Sequence, residues 1–145
     1  MNESQIVNKN QNFEEIVKWY ELKGLISTKV FNKFSRAISN HDHEEFIIQG
    51  EIIIRSILIK IIKGLKIGFN SNSGIHSILN IAWNYHIITN ERIYAYLWVF
   101  ARAAQQIRND ELEVESHEAL MHASIFFGFL IEINKTINEF PQLKI

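Results

Sequence analysis

The sequence predicts an all-α protein: an antiparallel four-helix bundle with additional N-terminal helices. Three observations carry this. Pro occurs once and Gly six times in 145 residues, and so few turn residues favour few, long elements. Apolar residues recur at alternating spacings of four and three, which places them on one helical face. Side chains able to cap free amide groups stand just ahead of these stretches. No repeat, low-complexity tract or linker divides the chain. Residues 1–145 are expected to form one helical domain, with 1–41 as an extension of a bundle over 42–140. This length suffices for a real core.

The elements follow in order. Residues 1–12 read as a frayed start. Asn12, with Glu15 three residues on, opens a helix whose Phe13, Ile16, Val17 and Tyr20 share a face and which Gly24 ends. Ser27 or Thr28 opens the next, with Val30, Phe31, Phe34, Ala37 and Ile38 on one side. Asp42 and Glu45 form a capping-box pattern for a helix over 43–66. Its Ile-rich middle would also suit a strand, but more than twenty residues pass without a turn signal, and length decides for helix. Ile47, Ile54, Leu58, Ile61 and Leu65 make its stripe, and Ile53 and Ile57 widen it, as in a helix buried on several faces. Glu51 and Arg55 are spaced to pair. After a loop over 68–73, Ser73 caps a helix over 74–86. Asn90 caps one over 90–109, whose seam is Ile93, Leu97, Phe100, Ala104 and Ile107. The last helix, 116–140, carries Ala119, Ala123, Phe126, Leu130, Ile133, Ile137 and Phe140 and stops before Pro141.

That helix has a second apolar row, Leu120, Phe127 and Ile131, which one core does not easily cover. Either the N-terminal helices cover it or it is a homodimer interface.

Composition excludes several classes. There is no Cys, so disulfides and thiolate chemistry are out. The formal net charge is −1, so no basic excess drives binding to phosphate backbones. The polar start lacks the apolar core of a secretory signal, and Arg55, Lys60 and Lys63 interrupt the longest apolar runs. A cytoplasmic protein without membrane contact is expected. Nothing calls for a cofactor or metal. Glu118 and His122 stand four apart with Glu115 and His117 nearby, but the pattern fits a solvated helix face better than a bundle metal site. His41-Asp42-His43 reads as a polar helix start. Trp83, Tyr85, Tyr94, Tyr96, Trp98 and Phe100 could stack bases if exposed, although helical spacing favours core.

The polar residues closest to known chemistry lie where the last two helices meet. Arg108 follows the seam residue Ala104 by four, at the border of the packed face. Asn109 follows it, and His117 heads the second apolar row. Arg can hold a phosphate bidentately and His can exchange protons near neutral pH. Together they could cleave RNA without a metal. The plainer alternative pairs Arg108 with Asp110 or a neighbouring carboxylate, lets Asn109 end the helix and leaves His117 in a first turn.

From Glu44 to Ile137 the order of parts resembles the HEPN (higher eukaryote and prokaryote nucleotide-binding) superfamily. A long apolar helix comes first, then a loop, then a helix ending in Tyr85-His86-Ile87-Ile88, then a helix closing on Ile107-Arg108-Asn109, then an apolar final helix. The resemblance implies a helical bundle that dimerises, either a metal-independent ribonuclease of defence and toxin–antitoxin systems or a non-catalytic binding module. The family motif is an Arg with a polar neighbour and a His shortly after. Arg108 and Asn109 match. The His is expected at Glu113, Val114 or Glu115, whereas His117 comes after eight intervening residues. Three connector glutamates would also repel phosphate.

The expected function is thus a HEPN-like protein of a prokaryotic defence or toxin–antitoxin system. It would bind or act on RNA, with weakened or lost ribonuclease activity, as a homodimer or with a protein partner such as an antitoxin or defence component. In an active form Arg108 would orient the phosphate, His117 act as acid or base and Asn109 position the pair. The alternative is a non-enzymatic adaptor or inhibitor that binds protein through the exposed apolar helix face.

Overall fold

The computed structural model describes residues 3–70 and 72–143, with side chains from Phe13 onward except Gln142. Among these residues the chain is all-helical: α1 (Glu3–Leu22), α2 (Thr28–Ser39), α3 (His43–Gly64), α4 (Ile75–Asn84), α5 (Glu91–Arg108) and α6 (Ser116–Glu139), closed by a 3-10 turn at Pro141–Leu143.

Helix starts follow capping chemistry in three places. Ser27 Oγ accepts from the Val30 N–H at 3.1 Å and Asp42 Oδ1 from the Glu45 N–H at 3.1 Å. Asn90 Oδ1 accepts from Arg92 and Ile93 at 3.0 and 3.2 Å. Elsewhere the chain departs from expectation. Glu45 does not complete a capping box, because its carboxylate accepts from Gln49 Nε2 at 2.7 Å. α4 starts after Gly74 rather than at Ser73, with no side-chain cap. α1 starts at Glu3 instead of Asn12. Neither Gly nor Pro interrupts residues 3–12, so once packing holds the segment from Phe13 to Tyr20, helix propagates upstream at one bond per residue. Met1 and Asn2 of the expected frayed start lie outside the described residues.

Helix ends share one device. After α1, Gly24 adopts φ 74°; its N–H bonds to Glu21 O and that of Leu25 to Tyr20 O. This is a Schellman motif with glycine in the left-handed position. The same paired bonds close α2, α3, α4 and α5, but there the left-handed residues are His41, Lys66, His86 and Asp110, with φ between 51° and 60°. Side chains with a Cβ seldom adopt this conformation.

Packing centres on α3. Ile47, Ile53, Ile54, Ile57, Leu58, Ile61 and Ile62 are all buried around its circumference, and α2, α4, α5 and α6 contact it. α5 and α6 also pack on one another, and α4 bridges α3 and α5. Phe34 of α2, Phe46 of α3 and Phe126 of α6 meet at centroid distances of 5.2 to 5.8 Å. Gly50 allows Phe100 and Phe126 to press against the α3 backbone, since a Cβ there would stand 2.8 Å from Phe100 Cζ. Of the expected α5 seam, Leu97, Phe100, Ala104 and Ile107 are buried and Ile93 is half-buried.

α1 ties to α6 through the buried Tyr20 hydroxyl, which donates to Leu130 O at 2.7 Å. Phe13 meets Phe127 edge to face at 4.6 Å. The N-terminal helix therefore covers the middle of the second apolar row, whereas Leu120 is 72% and Ile131 47% exposed. By length and composition α6 is long and apolar enough to cross a membrane, a property the sequence reading assigned to no segment. Its apolarity has another cause here: Phe126, Phe129, Leu130 and Ile133 lie in the core.

Candidate functional site at the Arg108 junction

Arg108 is the last residue of α5; the Asn109 N–H bonds to Gln105 O at 3.1 Å and the Asp110 N–H to Ile107 O at 3.1 Å. Asp110 turns the chain in the left-handed conformation. In the connector, Leu112 and Val114 pack against the core while Glu111, Glu113 and Glu115 point outward. This is the alternation of an extended segment. Two apolar side chains thus pin the connector and present three carboxylates to solvent.

The Arg108 side chain crosses to α3, where its Nη2 donates to Glu51 Oε2. Glu51 is 5% exposed, whereas the Arg108 side chain is 41% exposed. The pair runs from the core to the surface. One end of the guanidinium neutralises a carboxylate that burial would otherwise leave uncompensated. A guanidinium has five N–H donors, so the outer side of the fork remains able to bind. The plainer sequence alternative paired Arg108 with Asp110 or a neighbour; the partner instead lies 57 positions upstream.

Sequence reasoning missed Glu51 as a site residue, noting only its i, i+4 spacing to Arg55. A signal was present. Glu51 falls between Ile47 and Ile54 at spacings of four and three, a seam position. A carboxylate on a seam calls for a cation from a facing helix, and Arg108 stands at the seam border of α5.

His117 sits in the first turn of α6, its side chain 76% exposed, with Nδ1 3.5 Å from Glu115 Oε2. Arg108 and His117 are each engaged by their own carboxylate and share no hydrogen bond or ion pair among the described residues. Ligand atoms of Glu115, His117 and Glu118 lie within 4.8 Å of one another. The Glu115–His117 pair at 3.5 Å is near the separation of about 3.4 Å between donors around a tetrahedral ion with bonds of about 2.1 Å, but the positive end of α6 opposes a cation there.

His122 is not on a solvated face. It is 3% exposed, its Nδ1 has no hydrogen-bond partner, and its ring meets Phe100 edge-on at 5.7 Å. Burial pushes its pKa below the ordinary histidine value, with Glu118 opposing the shift. The imidazole is a neutral core group at neutral pH.

The aromatic residues of α4 and α5 are mostly self-paired. His76 stacks on Trp98 at 4.3 Å and Trp83 on Tyr94 at 4.8 Å, while Tyr85 and Tyr96 are exposed. No protein-family model matches the chain, and neither a curated protein nor a solved structure matches it.

Proposed function

We propose that the chain is a HEPN-like helical module that has lost RNA cleavage, or nearly so, and works by binding RNA or a protein partner in a prokaryotic defence or toxin–antitoxin setting. In this reading α3 to α6 are the four core helices of the bundle and α1 and α2 its extension. The observation that carries the loss of cleavage is that Arg108 and His117 share no hydrogen bond or ion pair among the described residues. Arg108 is tied inward to Glu51, and His117 is paired outward with Glu115. The carboxylates between them disfavour an approaching phosphate. A second reading, a non-enzymatic adaptor or inhibitor, is favoured by the apolar side chains left exposed on α5 and α6: Tyr96, Val99, Leu120, Met121 and Ile131.

RNA incubated with wild type, Arg108→Ala and His117→Ala in excess EDTA tests the proposal. No cleavage by any of the three is expected. Cleavage by wild type that both substitutions abolish would overturn it and restore the active ribonuclease. A mobility-shift titration on the same samples separates the two readings: retained RNA supports the first, and RNA left unbound supports the adaptor.

A further inference from the structure

We propose that RNA docks by its phosphate backbone along a cationic strip on α2 and α3, on residues the Arg108 junction does not use. This rests on the RNA-binding reading and gives it a surface.

The net charge of −1 averages two unlike regions. Residues 22–41 and 52–90 hold eight of the 15 Lys and Arg and none of the 16 Asp and Glu. The rest of the chain carries seven cations against all 16 carboxylates. The cationic region is α2 with the loop before it, the latter part of α3, and α4. The acidic region includes the connector beside Arg108. Such a separation turns one side of a molecule toward a polyanion even where the net charge is near zero.

The fold joins the cationic segments. Ser56 Oγ donates to Leu25 O at 2.7 Å, which seats the loop before α2 against the middle of α3. Phe34 meets Phe46 at 5.2 Å, nearer the turn between the two helices. α2 and α3 therefore run antiparallel, side by side. Lys29, Lys33 and Arg36 stand at i, i+4 and i+7 on one flank of α2. Lys33 and Arg36 share a shallow cleft with Asp42 and Glu45 at the start of α3, so this flank faces α3. Ser56, Lys60 and Lys63 repeat the same spacing on α3 and carry the line past the start of α2. From the level of Glu45 to Lys63 the strip is about 27 Å long at 1.5 Å per residue. That length takes about eight phosphates of one strand at 3.4 Å each.

The cations are available. Lys29, Arg36, Lys60 and Lys63 are exposed and Lys33 is half-buried. Among the described residues none of these five makes an ion pair or a side-chain hydrogen bond. Glu21 of α1, which accepts from Thr28, is paired with Lys18. Glu51 is buried and turned to Arg108. Asp42 and Glu45 bound the strip at its Arg36 end. Between Lys33 and Lys63, α2 and α3 present no exposed carboxylate.

The surroundings select the occupant. A membrane surface would call for exposed apolar side chains among the cations, and a protein interface for a core poor in charge. Among the described residues no large exposed apolar side chain belongs to α2 or α3; Tyr96, Val99, Leu120, Met121 and Ile131 stand on α5 and α6. A file of unpaired cations without apolar anchors fits a linear polyanion held by its backbone.

Fluorescence anisotropy with a labelled uridine oligomer, repeated as salt is raised, tests this. Five phosphate contacts to a single strand predict a log–log slope of about −3.5. Lys29→Gln/Lys33→Gln/Arg36→Gln should make the slope shallower by about 2 and weaken binding about 100-fold at about 0.1 M salt. Lys60→Gln/Lys63→Gln, on the other helix, should make it shallower by about 1.4. Lys29→Arg/Lys33→Arg should keep the wild-type slope, because the charge is kept. Arg102→Gln, exposed on α5, should leave binding unchanged. Circular dichroism of every variant should match wild type. Wild type that retains RNA while the triple variant retains it equally overturns this inference alone. So does a Lys29→Arg/Lys33→Arg protein as weak as the triple variant, since packing rather than charge would then matter. Wild type that retains no RNA, including one that sediments with phosphatidylserine vesicles instead, overturns the RNA reading as well.

Discussion

Replacing Arg108 with alanine should destabilise the fold before it says anything about chemistry. The substitution leaves Glu51, whose side chain is 6% exposed, without its guanidinium partner. Breaking a fully buried ion pair from one side costs about 3–5 kcal/mol. The Arg108 end is 41% exposed, so solvent already screens part of the interaction, and the lower figure of about 2–3 kcal/mol applies. For a domain of this size 1 kcal/mol moves the melting temperature by about 3 °C, which gives a fall of about 6–9 °C. Removing both charges with apolar residues of similar size, in Glu51→Leu/Arg108→Met, should bring the loss back to within about 1 kcal/mol. Thermal melts of the two single variants and the double variant by circular dichroism complete a double-mutant cycle. If Arg108→Ala melts within 1 °C of wild type, or the single losses simply add, Glu51 does not depend on Arg108. The guanidinium would then be free for a ligand. The same cycle guards the RNA assay, because activity lost in Arg108→Ala and recovered in the double variant is a folding effect. His117→Ala is the cleaner probe, since that side chain supports nothing in the core.

Further predictions follow from the core and the helix ends. Gly50→Ala should cost about 1–3 kcal/mol by overpacking, since its Cβ would lie 2.8 Å from Phe100 Cζ and 3.4 Å from Phe126 Cδ2; an unchanged urea midpoint would show that the rings yield. His122 has a folded pKa below 6.5, so its contribution to stability is complete above that value and is lost as the pH falls through it, when the unfolded chain takes up the proton first. Urea midpoints of wild type should therefore fall more steeply from pH 7.5 to 5 than those of His122→Leu, and parallel profiles would refute the assignment. His86→Gly should raise stability by about 0.5–1 kcal/mol by relieving a left-handed residue with φ 60°; a lower melting temperature would show that the His86 side chain holds something glycine cannot.

The helices were legible because their signals are local. Asp42 and Asn90 announce α3 and α5 by side chains that bond amides two or three residues ahead, and the seams around Phe100 and Phe126 repeat at helical spacing. Less was visible where the cause is distant. α1 runs back to Glu3 because packing further on pays for its nucleation, and no residue near Glu3 marks the start. The left-handed ends at Lys66, His86 and Asp110 lack the glycine that normally betrays them, although Gly24 shows it in its usual place. At the junction, Arg108 and His117 could be singled out by residue type and spacing. The carboxylate that holds Arg108 lies in α3, and only the contact between α3 and α5 joins them. His122 looked solvated because Glu118 stands one turn before it, and only the approach of Phe100 puts it inside.

The charge around the junction bears on what can approach it. Arg108 is already paired, while Asp110, Glu111, Glu113 and Glu115 point outward beside it. With an overall charge of −1, an RNA backbone meets repulsion here unless cations come from elsewhere. A cationic surface, by contrast, would find partners ready.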